Sequence, residues 1–515
     1  MGLKFLLAAI LLTGGIASRW IAFDDDEFQH AHMAWLLARG EVPHRDFFEH
    51  HLPLHHLLLA PFTLGNPGPD RILLLRALSV LTFAGSIWTL YKVLQHRTAV
   101  NPLPITLLVA VSPIFFLKMI EVRPEGFCIL LALLSMRALD RGGPKNTFLA
   151  GFMAAAMVMA SQKFLFLAGG IFLFCAWEHG FRPLLRFSVA GLIPPVLTAT
   201  AYLLLGAGPA AWQHLVVLNA QWQETFSPGM YAGMLWETSG VLTALALVGV
   251  CFPARSSAQR PAYGAAVCLL LAGIVAVLVV PIPFRQTFLM LYPGLALAAV
   301  LGWERIIEVL PHPRFHTPAV VLFTLAAIAP GLQGIRREFS ETLHEDRALM
   351  HHLQATTEGP VFDARGLVYW RHHVGEYAWM HDGLMMMLDP EIYSQATQTA
   401  LRAADFPPLL WDYRVADTLP ESLQRFLRNH YLPTEPAPLM LPGMEVDRSQ
   451  LMGSGRTVDL PAPGTWEISW QGGEVWVDQV PVENPGRFTT ETPHIHLRGR
   501  GFVRNLRILR VEATP

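Results

Sequence analysis

Phe23-Asp-Asp-Asp-Glu-Phe-Gln-His-Ala-His-Met-Ala-Trp-Leu-Leu-Ala-Arg-Gly40, followed directly by Glu41-Val-Pro-His-Arg-Asp-Phe-Phe-Glu-His-His-Leu-Pro-Leu-His-His56, is the stretch on which the reading of this chain turns. An aspartate at 24 or 25 can cap a helix that runs to Arg39 and stops at Gly40. On that helix Asp26 and His30 are one turn apart on the same face, and Met33, Trp35, Leu36 and Leu37 can lie against a membrane surface. After Pro43 the run Arg45, Asp46, Glu49, His50, His51, His55 and His56 concentrates acid, base and metal-ligand chemistry. Carboxylate with imidazole, as in Glu49 and His51, suits a divalent cation (Mg, Mn or Zn), and His or Arg suits a phosphate. The plain alternative is a charged interfacial loop with solvated histidines.

Outward from this loop the chain is apolar. Of 515 residues, 52% are hydrophobic and 15% charged, with a formal charge of -2, against about 25% charged in ordinary soluble domains. There is no basic excess to attract nucleic acid. The four cysteines, Cys128, Cys175, Cys251 and Cys268, fall inside apolar runs and lack metal-ligand spacing, so they read as packing residues. Apolar runs at residues 3–23, 72–94, 102–120, 124–140, 146–161, 164–178, 187–206, 235–253, 262–281, 286–303 and 317–334 predict a polytopic α-helical membrane protein with about eleven spans. The stretch from Asn146 to Trp177 is too long for one span and is split at Gln162-Lys163. The split puts Arg137, Arg141 and Lys145, then Arg182 and Arg186, then Arg255 and Arg260, then Arg305 and Arg314 on one side, the cytoplasmic side by charge bias. Residues 23–70 then form the first outside loop, and 206–235, with Trp212, Trp222 and Tyr231, form an interfacial outside segment.

From about Ile335 the sequence becomes polar, with frequent Pro and Gly. The expected organisation is a membrane domain over 1–334, a soluble non-cytoplasmic α/β region over 335–456, and a small β-sandwich-like region over 457–515. Pro360-Val-Phe-Asp-Ala and Pro408-Leu-Leu-Trp-Asp read as buried strands, Pro420 to His430 as a helix, and the stretches from Thr465, Glu474 and His494 as strands separated by turns.

Asp26-Glu27, Ala38-Arg39-Gly40 and Pro43-His44-Arg45-Asp46-Phe47-Phe48-Glu49-His50-His51-Leu52-Pro53-Leu54 together resemble the first-loop signature of the GT-C glycosyltransferases related to protein O-mannosyltransferases and the lipid A aminoarabinose transferase. The resemblance implies a bacterial inner-membrane enzyme that takes sugar from a polyprenyl-phosphate donor, with inversion, and passes it to a lipid, glycan or protein acceptor on the non-cytoplasmic face. It further implies that Asp26 is the catalytic carboxylate and that Glu49 lies near a metal or the phosphate. His50 occupies the place of a phosphate-binding Lys, and His44 that of a Tyr. A second carboxylate, Glu125 in Glu121-Val-Arg-Pro-Glu125, matches a position where relatives carry Asp, although Arg123 and Glu125 can also simply pair at the surface. Asp24 and Asp25 read as caps or solvated acids. Lys163 and Arg285 sit at outside helix junctions and, with Arg45, are candidates to hold the donor phosphate; snorkelling is the alternative for the first two. The rival functions are a transporter, which would place ionisable residues near the midplane of broken spans, and a different lipid-linked-sugar enzyme, such as a polysaccharide ligase or polymerase.

Overall fold

The structure, a computed structural model, describes residues 2–65, 68–221, 228–252, 259–280, 284–309, 329, 331–339, 342–377, 379–446, 451, 455–500 and 502–511. Trp222, Arg255, Arg314 and residues 317–328 and 330 of the expected span at 317–334 lie outside the described residues. Two compact units are present, Met1–His344 and Glu345–Pro515.

The first unit is helical: α1 (Gly2–Ala17), α2 (Asp25–Ala38), α3 (Leu54–Thr63), α4 (Pro69–Arg97), α5 (Leu103–Ala110), α6 (Pro113–Ile120), α7 (Pro124–Arg141), α8 (Pro144–Ala160), α9 (Leu165–His179), α10 (Phe181–Leu204), the short α11 (Gly208–Trp212) and α12 (Asn219–Gln221), α13 (Pro228–Cys251), α14 (Arg260–Val279) and α15 (Tyr292–Val309). Among the described residues five helices are long and apolar enough to cross a membrane, and a sixth crossing results if the bent pair α5–α6 is one broken span. Proline at the start of α4, α5, α6, α7, α8 and α14 sets each entry, where its missing N–H removes no helical hydrogen bond. The expected break at Gln162-Lys163 is a single 3₁₀ turn, Gln162–Phe164, between α8 and α9.

Helices pack through small residues. A Cβ placed on Gly249 of α13 would collide with the Ala298 carbonyl of α15, and one on Gly302 with the Leu245 carbonyl, so these two backbones touch. Three irregular points also meet. Ser112, at the 66° bend between α5 and α6, hydrogen-bonds Ser239, at a non-helical kink in α13, and Tyr292, at the start of α15. Ser239 and Tyr292 bond in turn at 2.9 Å. At the helix ends away from the first loop, Arg97 pairs with Asp140 at 2.5 Å and with Glu178 at 3.5 Å. No cysteine is bonded to another; Cys128 and Cys175 are buried, whereas Cys251 is exposed.

In the second unit β1 (Phe362–Asp363) pairs in parallel with β2 (Leu409–Leu410), which pairs with β4 (Leu439–Val446). β3 (Tyr431–Pro433) joins the other edge of β4, and the sheet continues through β11 (Arg504–Arg510), β6 (Gly464–Gln471) and β9 (Gly486–Thr490). One sheet therefore takes strands from both sides of residue 456. A second sheet is ordered β5 (Arg456–Asp459), β10 (His494–Arg500), β7 (Glu474–Val477), β8 (Val480–Val482). Trp466, Ile468, Val475, Leu497 and Ile508 alternate with exposed or half-buried neighbours and fill the core of this part.

Candidate active site

The first loop is organised by its own acids. Asp24 is the N-cap of α2: its carboxylate accepts from the Asp26 N–H at 3.1 Å, and Glu27 accepts from the Asp24 N–H at 3.0 Å, a reciprocal capping box. Gly40 ends the helix with a positive φ of 89°. Met33, Trp35 and Leu36 are buried within the protein. The membrane surface is not where they lie.

Glu27 does more than cap. The Arg76 guanidinium, from α4, donates to both its oxygens, Nε at 2.8 Å and Nη2 at 2.5 Å, and the Val122 N–H donates to Oε2 at 2.9 Å. The remaining Arg76 N–H groups bond the carbonyls of Ser18, Ile21 and Ala22, each at 2.8 Å. Glu27 and Arg76 are 0% and 1% exposed, which makes the Glu of the Asp-Glu pair an anchor for the loop.

Asp26, one residue earlier, points elsewhere. Its carboxylate is 2.7 Å from Arg123 Nη2, which also bonds Asp24 at 2.7 Å, while Arg123 Nε bonds Glu121 at 2.6 Å. Lys118 bridges Asp24 at 2.9 Å and Glu121 at 2.8 Å. Three carboxylates thus share two cations. Burial alone would raise the Asp24 carboxyl, but Arg123 and Lys118 outweigh it and hold that group well below the usual carboxylate range. Glu121 goes the other way: burial, helped by the Asp24 charge, pushes it up to about 6. Of this pair, the more enclosed Glu121 is therefore the one that takes a proton first.

Arg123 and Glu125 do not pair as a surface couple. Glu125, at the start of α7 and buried, lies 3.6 Å from Lys163 Nζ, and its Oε2 has no hydrogen-bond partner. The Gln162-Lys163 turn also reaches the first loop, since Gln162 Nε2 donates to the His50 carbonyl at 2.7 Å and Asn219 Nδ2 does so at 3.0 Å. The charges of Lys163, Glu125, Asp26 and Arg123 all act on His51, so these groups form one neighbourhood.

Glu49 and the histidines form its inner wall. Glu49 Oε1 accepts from the His50 and His51 backbone N–H groups and from His51 Nδ1, each at 2.8 Å, while Oε2 is buried with no hydrogen-bond partner. His30 of α2 meets His56 of α3 at 2.9 Å. The His30 ring lies 5.2 Å from that of His51 and 5.6 Å from that of His55. Burial pushes His51, His55 and His56 down to about 3 and lowers His30 and His50 as well, so these rings are neutral. They are not solvated. Two groups of ligand atoms within 4.8 Å of one another result, Glu49-His50-His51 and His30-His55-His56.

Two expected phosphate ligands stand apart. Arg45 gives Nε and Nη2 to Asp46, both at 2.8 Å, and Nη1 to the Leu205 carbonyl at 3.0 Å, which closes a small exposed turn. Arg285 opens the turn Arg285–Leu291 and is exposed, with no ion pair among the described residues. His44, where relatives carry Tyr, takes a positive φ of 67° and meets Tyr202 Oη at 3.2 Å. The sequence reading assigned no role to Lys118, Glu121 or Arg76. Lys118 and Glu121 carry an i,i+3 signature, and Arg76 is a charge inside an apolar run, which itself signals a partner.

The chain has a GT-C-like fold, shared with two solved structures. In structure the chain is similar to ArnT, the lipid A aminoarabinose transferase, from Cupriavidus metallidurans. The form bound to undecaprenyl phosphate superposes with a TM-score of 0.52 at 12% identity, over 81% of this chain and 95% of ArnT. The apo form gives 0.52 at 13%, over 80% and 94%. The Archaeoglobus fulgidus oligosaccharyltransferase tethered with an acceptor peptide aligns over 99% of this chain and 98% of its own, with a TM-score of 0.49 and 10% identity. No protein-family model and no curated protein matches the sequence.

Proposed function

We propose that this chain is a membrane glycosyltransferase that moves a sugar from a polyprenyl-phosphate carrier to an acceptor on the non-cytoplasmic face, with Asp26 as the carboxylate that meets the acceptor. The observation that carries the reading is the placement of Asp26: 2.7 Å from Arg123, partly open, at the head of the first-loop helix of a GT-C fold, in one neighbourhood with Glu125, Lys163 and the Glu49 group. That ArnT binds undecaprenyl phosphate supports the donor class.

In this reaction an acceptor oxygen attacks the anomeric carbon, the bond from that carbon to the phosphate oxygen breaks with inversion, and the electron pair leaves on the phosphate. When the acceptor is a hydroxyl, Asp26 takes its proton; when it is already an anion, Asp26 orients it. Arg123 fixes the carboxylate in place. Lys163, poised on Glu125, and exposed Arg285 are the cations assigned to the departing phosphate, and neutral His50 donates a hydrogen bond without charge. Glu49, with one bare buried oxygen, fits a divalent cation together with His51, and such an ion would neutralise phosphate charge. The charge bias of the loops supports a multi-pass protein of the bacterial inner membrane with about eleven spans and the region after Gly334 outside. The acids gather on the first loop and at the start of α7, which favours an enzyme over a transporter.

The test is transfer from a labelled polyprenyl-phosphate sugar, with a membrane extract as acceptor source. Asp26→Asn should fold and extract normally yet lose about 10²–10⁴-fold in turnover. Parent-like turnover in Asp26→Asn with a dead Glu125→Gln or Glu49→Gln moves the role to one of those acids. Activity in all three ends the glycosyltransferase reading.

A further inference from the structure

We infer that His30, His55 and His56 form a transition-metal site of the zinc class, separate from the Glu49 group and independent of the reading of sugar transfer. The three side chains come from two helices: His30 from the second turn of α2, and His55 and His56 from the first turn of α3. They are 2%, 5% and 2% exposed, so bulk solvent does not reach them.

A neutral imidazole has one donor and one acceptor nitrogen. His30 Nδ1 and His56 Nε2 face each other at 2.9 Å and can share one proton. His55 Nδ1 is buried with no hydrogen-bond partner. One ligand atom from each residue lies within 4.8 Å of the other two. Around a tetrahedral zinc with bonds of about 2.0–2.1 Å, nitrogens stand roughly 3.3 Å apart, inside that range. A metal takes the lone pairs that the rings cannot satisfy among themselves. An imidazole-only set selects zinc, copper, nickel or cobalt over magnesium, calcium or manganese, which prefer oxygen. The charge of a bound dication is answered nearby, because the His30 ring adjoins His51, whose Nδ1 bonds Glu49.

Such an ion would staple α2 to α3 one turn below Asp26, making these histidines positioning residues. The test uses the full chain purified in detergent, stripped with a chelator and reloaded with zinc alone. Glu49→Gln, which removes the neighbouring carboxylate, should keep one equivalent, and X-ray absorption at the zinc edge of that variant should show three imidazole nitrogens. His55→Ala in the same background should weaken zinc binding on the order of a hundredfold or more. The proposal is overturned if the Glu49→Gln protein binds no stoichiometric zinc, if its spectrum shows fewer than two imidazoles, or if His55→Ala binds as tightly. The absorption spectrum needs no change at the three histidines, so a folding defect in His55→Ala does not blunt the test.

Discussion

Arg76→Lys asks how far the first loop depends on a single guanidinium. All five N–H groups of Arg76 are committed: two to the Glu27 carboxylate and three to the carbonyls of Ser18, Ile21 and Ala22. Lysine keeps the charge but has three donors and no fork, so two acceptors lose their partner. A buried acceptor left bare costs about 1–3 kcal/mol, which gives a total of about 2–6 kcal/mol for Arg76→Lys. Glu27→Gln keeps the shape and strands a buried cation, at a cost of about 3–5 kcal/mol. Removing both charges, Arg76→Met with Glu27→Leu, should cost clearly less than Arg76→Met and Glu27→Leu made singly and added together, because the stranded charge is gone. Thermal unfolding in detergent, read by monodispersity after heating and by proteolysis of the first loop, gives the ranking. The clamp is disproved if Arg76→Lys unfolds within about 0.5 kcal/mol of the parent, as an ordinary surface change does, or if the double change is additive.

The raised Glu121 carboxyl has a stability signature: the folded state holds its proton up to about 6 and an unfolded chain only to about 4.5, so this group makes stability fall as pH rises through that window. Unfolding temperatures at pH 4.5 and 7 should show a fall in the parent that is smaller in Glu121→Gln; equal falls would remove the assignment. Where α13 and α15 touch, Gly249→Ala should cost about 1–3 kcal/mol or more by overpacking. Gly169→Ala, whose Cβ would meet nothing within 4 Å, should leave the unfolding temperature at or above that of the parent, and equal effects of the two would contradict the close approach.

What the sequence showed and what it hid divide by range. The cap at Asp24, the stop at Gly40 and the break at Gln162-Lys163 follow from rules acting over a few residues, and the structure has all three. The partners of the charges do not follow such rules. Neighbourhood in sequence suggested that Arg123 pairs with Glu125, yet the fold brings α2 under Arg123 and the Lys163 turn to Glu125. Asp24, read as a cap or a solvated acid, is both a cap and the partner of two cations. Arg45 looked free for a phosphate because its sequence neighbour Asp46 gave no sign of closing a bidentate turn on it. The histidine run announced metal chemistry, but His30 joins it only because α3 packs on α2, a contact set by topology.

The meeting of Ser112, Ser239 and Tyr292 ties three separate helices to one point. Each hydroxyl marks a place where its own helix is interrupted, and each completes the hydrogen bonding of the other two. Backbone irregularity at membrane depth survives only where other groups satisfy it. Loss of any one hydroxyl removes two of the three hydrogen bonds and leaves the other two hydroxyls bonded to each other. These positions, scattered across the sequence, meet at one buried point, so a substitution at any of them acts on three helix irregularities at once.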